Sequence, residues 1–140
     1  MFFFSLAIVI LANVLYHTAQ KSITPNVHPL IATIAAYIAA ILLCLPMFLI
    51  LPLQTSLSEE LKRINWATYA LGLSIVGVEL GYLLAYRAGW NISIASTIAN
   101  VAIAIFLIPV GMWLFKESVS WTTLLGIVLC LAGVALIAKK

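Results

Sequence analysis

The sequence predicts an all-α membrane protein, a bundle of five transmembrane helices, and three observations carry the prediction. Of the 140 residues, 65% are hydrophobic and only 8% are charged, with a mean hydropathy of +1.21, which leaves too little polar surface to coat a globule in water. The apolar residues gather into five runs, near 2–20, 29–53, 66–86, 91–115 and 120–138. Each approaches or exceeds the roughly 20 residues that cross about 30 Å of hydrocarbon, and runs this long satisfy their backbone groups as helices, not as the roughly ten-residue strands of a barrel.

The first run has no basic segment ahead of it, and Asn13, Tyr16, His17 and Gln20 follow where a signal peptide would place small residues, so it is expected to stay as a helix. The second run is flanked by Pro25, Pro29 and Pro52, which belong near helix ends or in connections. Residues 54–65 then form the one long polar stretch, with Glu59, Glu60, Lys62 and Arg63, read as a solvated loop. The third, fourth and fifth runs begin beside Asn65, Asn91 and Ser120, all good N-caps. Trp66, Trp90, Trp113 and Trp121 fall at the predicted ends, where an indole buries its ring and keeps its N–H near headgroups. With no linker and no second composition, residues 1–140 read as a single five-helix domain.

A net charge of +3 does not point to nucleic acid, because the seven Lys and Arg are scattered and make no basic face. Cys44 and Cys130 sit inside apolar runs without His or acid at ligand spacing, so they read as packing residues, and no metal or other cofactor is expected. Five spans place the termini on opposite sides of the membrane. Lys62, Arg63 and Lys116 then share the N-terminal face (face one), against Lys21, Arg87, Lys139 and Lys140 on face two. Three against four is almost no bias, which permits insertion either way up.

Polar residues converge on the half of the membrane nearer face two. Asn13, Tyr16, His17 and Gln20 make one stripe of the first helix, with Lys21 at its end; Thr33 and Tyr37 lie one turn apart on the second; Glu79, Tyr82 and Tyr86 share a stripe of the third; and Ser93, Ser96, Thr97 and Asn100 share one on the fourth. The other half, as in Leu6–Leu11 and Ile103–Ile108, is almost wholly apolar, so a polar cavity open to face two is expected. Glu79 is the one acid in any span, and an ionised acid at the bilayer centre costs on the order of 2.5–3.5 kcal/mol on insertion scales. It is expected to face the interior and bind a proton or a cationic substrate in competition, the alternatives being a bond to Tyr82 or Asn100 or a pairing with Arg87 or Lys21. For His17 alone a packing role outweighs a functional one, and His28 receives no role.

Small residues mark expected contact faces: Gly77 and Gly81, extended by Ala85, lie nearly opposite Glu79, Ala32, Ala36 and Ala40 form a ridge on the second helix, and Gly126 and Gly133 lie two turns apart on the fifth. The fifth helix carries no strongly polar residue from Leu124 to Ala138 and is expected at a helix or subunit interface. Pro46 and Pro109 permit bends in the face-one half.

The stretch "AYRAGWNISIASTIANVAIAIFLIPVGMWLFKES" followed by "WTTLLGIVLCLAGVALI", with Pro109 ahead of the Phe115-Lys116-Glu117 loop and Gly126 and Gly133 in a Leu/Ile/Val frame, resembles the C-terminal part of an EamA-type repeat of the drug/metabolite transporter superfamily. Five spans in about this length match one such repeat. The resemblance implies a half-size transporter in a bacterial inner membrane, because members commonly join two inverted five-helix repeats and only one copy stands here. A lone repeat would pair with a second chain, either as a homodimer, antiparallel in the manner of the small multidrug resistance family, or with a homologous half-transporter. The chain departs from that smaller family in its five spans, its acid in the third helix and Asn13 in place of a first-helix Glu. Glu117 matches the loop acid of the EamA pattern and is expected to serve the dipole of the fifth helix.

Taken together, these features predict a carrier of a small polar or cationic metabolite, exchanged for protons at Glu79, with Asn13, Tyr16, His17, Tyr82 and Asn100 shaping the site. The alternative is a non-transporting membrane subunit or scaffold, or a subunit of a flippase for lipid-linked sugars. An enzyme is not expected, since no nucleophile and base stand at catalytic spacing.

Overall fold

A computed structural model of the protein describes residues 2–138. It contains α1 (Phe2–Ser22), α2 (Pro29–Met47), α3 (Leu57–Arg63), α4 (Trp66–Arg87), α5 (Ile92–Leu114) and α6 (Trp121–Ala138), and no strand among the described residues. The five apolar runs are the five long helices. Four of them are long and apolar enough to cross a bilayer, and the 18 residues of α6 rise about 27 Å, only slightly short of the hydrocarbon thickness. Lys139 and Lys140, counted above toward face two, lie outside the described residues.

Three local readings need correction. The polar stretch read as a loop contains a helix, α3: the Ser56 side chain accepts from the Glu59 N–H, Glu59 and Glu60 stand in the first turn, and Lys62 and Arg63 in the last. This arrangement satisfies an end donor and opposes the helix dipole at both ends. The second run does not stay helical to 53, because α2 ends at Met47 and the chain tightens into turns, with Leu49 N–H donating to Pro46 O at 3.0 Å and Leu51 N–H to Met47 O at 2.8 Å. Pro46 therefore sits at the end of α2, whereas Pro109 lies within α5. Of the expected caps, Asn65 accepts from Ala67 N–H and Ser120 from Thr123 N–H, but Asn91 makes no side-chain cap bond.

By its contacts the chain divides into two compact units, Met1–Thr18 with Gly89–Lys140, and Ala19–Ala88. In the first, α5 packs on α6; in the second, α2 packs on α4. Among the described residues Leu83 is fully buried and Tyr86 nearly so, and most of the large aliphatic side chains of the long helices are exposed. A lipid-facing surface has this character, since acyl chains are as apolar as leucine. Several polar side chains are instead satisfied on their own helix: Asn13 donates to Val9 O, Thr18 to Val14 O, Ser74 to Ala70 O and Ser96 to Ile92 O. The expected Gly77–Gly81 contact face is open, with nothing within 4 Å of a Cβ built at either position. It lies on the side of α4 away from Glu79, which points the polar stripe, not the ridge, at neighbouring helices.

Two tight reversals depend on left-handed backbone. Gly89 (φ 95°) ends α4 without the steric penalty a side chain would bring. At the end of α5 the same role falls to Lys116 (φ 54°), which lets Glu117 N–H bond back to Gly111 O at 3.0 Å and lays the Glu117 carboxylate over Gly111, where a Cβ would stand 2.7 Å from Oε2. Glu117 therefore folds onto the end of α5, not onto the start of α6 as its position suggested. Lys116→Gly relieves the left-handed strain and is expected to raise stability by about 1 kcal/mol, measured by unfolding in mixed micelles; an unchanged or lowered stability would show that the lysine is not strained there.

Candidate functional site

The membrane acid is positioned by α4, fourteen residues into a helix that opens at Asn65 and closes at Ala88. Glu79 is eight residues from Arg87, about 12 Å along the axis, and half-buried. Its partner is Gln20, in the last turn of α1. The buried Gln20 amide donates from Nε2 to Glu79 Oε2 and also reaches the main-chain carbonyl of Glu79 at 3.4 Å. Two acceptors face this atom, so it must be the amide nitrogen. One neutral side chain thus ties the end of α1 to both the side chain and the backbone of α4.

The neighbouring cations engage carbonyls. Lys21 Nζ donates to Tyr86 O at 3.2 Å and lies 5.6 Å from the centre of the Tyr86 ring, while Arg87 donates from Nη2 to Val27 O at 2.7 Å and to Thr24 O at 3.3 Å. The salt bridge of the described residues is remote, between Glu60 and Arg63 on α3. Tyr82 and Tyr86 stack along α4 with ring centres 5.8 Å apart and planes at 26°. From α2, which packs on α4, Tyr37 contributes a hydroxyl that is shut off from the surface without a hydrogen-bond partner.

The predicted site residues fall into both units. Glu79 and Tyr82 belong to Ala19–Ala88; Asn13, Tyr16, His17 and Asn100 belong to the other. His17 is buried, with the Tyr16 ring edge-on to it at 5.0 Å, while Asn13 and Asn100 are exposed. Gln20 and Tyr37 carry the environment of Glu79, although spacing alone had marked them only as members of polar stripes. The signal was present in the length of the Gln20 side chain, which can reach down from the end of its helix toward the depth of Glu79.

Chemically, the cluster Gln20, Tyr37, Glu79, Tyr82 offers an acid held by a neutral donor beside phenols, an arrangement that can take up a cation or a proton. No histidine, cysteine or acid grouping able to hold a metal occurs among the described residues. No curated protein and no solved structure matches the chain. The model of the EamA-like transporter family matches it over residues 1–139, so that one family unit accounts for all five long helices and the loop at Glu117. A helical chain with four helices long and apolar enough to cross a membrane fits that assignment, and the chain belongs to the EamA-like transporter family.

Proposed function

We propose that the protein is a half-size carrier, placed in a bacterial inner membrane, that moves a small cationic metabolite in exchange for protons, with Glu79 the group that cargo and proton share. The observation that carries this reading is that Glu79 is tied by a neutral amide while Lys21 and Arg87 engage main-chain carbonyls. An acid neutralised by a fixed cation is a structural element; one without such a cation retains charge to offer a ligand. The partner is a second copy of the chain. Asn100, about 12 Å into α5, is exposed, and a polar amide left against acyl chains is unfavourable. The near-even distribution of positive charge supports an antiparallel pair.

Flux measured in proteoliposomes tests both parts. Glu79→Gln is expected to abolish uptake of an organic amine driven by a pH gradient while leaving the protein folded. Mixing variant and wild type before reconstitution should lower flux faster than the wild-type fraction falls, because each carrier needs two intact copies. Normal coupled flux in Glu79→Gln removes this residue from the mechanism, and a linear decline in the mixtures removes the dimer.

A further inference from the structure

We propose that Glu79 and Tyr37 together form a recognition site for an ammonium group that carries N–H bonds, a protonated primary or secondary amine, in preference to a quaternary ammonium. This rests on the reading above, that Glu79 meets the cargo.

A carboxylate accepts at two oxygens. Gln20 occupies Oε2, which leaves Oε1 to be satisfied. The phenol of Tyr37 can both donate and accept, yet its oxygen is closed off from the surface and has no partner. Buried polar groups in this condition are rare and mark strain, a bound water or a ligand position. The two groups come from α2 and α4, which pack on each other, so they stand on adjoining helices within one compact unit. The cations nearest them engage main-chain carbonyls, Lys21 that of Tyr86 and Arg87 Nη2 those of Thr24 and Val27.

An ammonium with two or three N–H bonds can donate to Glu79 Oε1 and to the Tyr37 oxygen at once. A quaternary nitrogen has the same charge and no donor. Seating it would keep the Coulomb attraction but leave the phenol as it is now, and sites built around buried polar groups reject ligands that cannot pair with them.

The test compares benzylammonium with benzyltrimethylammonium, titrated by calorimetry into the full chain in lipid nanodiscs. Wild type is expected to bind the N–H probe at least about tenfold more tightly, the worth of one charge-assisted hydrogen bond. Tyr37→Phe, which removes one oxygen and keeps the ring, should cut that ratio by about fivefold or more while the quaternary probe binds as before. Equal binding of the two probes by wild type, or no binding of either, overturns the proposal and leaves a bridging water as the partner of the phenol. An unchanged ratio in Tyr37→Phe overturns it too. Glu79→Gln separates the two levels: if amine binding survives there at full strength, the carrier reading fails; if binding is lost there yet the ratio persists in Tyr37→Phe, only the role given to Tyr37 fails.

Discussion

Gln20→Leu will destabilise the protein by about 2–3 kcal/mol, the expected cost of stripping a hydrogen bond from a charged, half-buried partner. Leucine fills nearly the same space and keeps helix propensity, so neither a cavity nor a weakened α1 explains the loss. What disappears is the donor that serves both Glu79 Oε2 and the Glu79 carbonyl. The cost should therefore depend on the acid: in a Glu79→Leu background the same substitution at position 20 is expected to cost less than about 1 kcal/mol, because no orphaned carboxyl remains. Reversible unfolding of the four proteins in mixed micelles measures the coupling. Equal costs in the two backgrounds would mean that the amide and the acid are neighbours without dependence.

How much of this could be read beforehand follows from what each signal measures. Hydropathy reports length and solvent, and all five long helices were legible because a chain in lipid can satisfy its backbone only within its own segment. The helix α3 was missed because it is held by end effects, Ser56 with Glu59 at one end and Lys62 with Arg63 at the other, which periodicity does not register. Glu79 stood out because its energetic cost is local. Its pairing with Gln20 did not, because that bond depends on the relative rotation and depth of α1 and α4, which residue spacing leaves undetermined. Asn13 shows the converse: its place on a polar stripe suggested a shared cavity, yet its amide bonds the carbonyl four residues back. Spacing says which residues share a face and not whether their partner lies across the bundle or on the same helix.

Arg87 is the second position where a large effect is expected, since its guanidinium determines how the α1–α2 connection meets the end of α4. The connection contains Pro25, which lacks an N–H, and is closed mainly by Val27 N–H bonding Thr24 O at 3.1 Å. Arg87 Nη2 adds a charged donor to that same Thr24 carbonyl and to Val27 O, and its charge in the last turn of α4 favours the helix dipole. Arg87→Ala removes all of this and is expected to cost about 2–3 kcal/mol. Arg87→Lys keeps the charge, and with it the count of positive residues on face two, but an ammonium lacks the planar fork and so should recover only part, leaving a loss of about 1 kcal/mol. Hydrogen exchange distinguishes this from a general loosening: the Val27 amide should exchange faster in both variants, most in alanine, while amides in the middle of α5 keep their protection. Because α1 brings Gln20 and α2 brings Tyr37 from either side of this connection, the same variants should also weaken binding of benzylammonium. Wild-type exchange at Val27 in Arg87→Ala would show that the turn holds without the arginine.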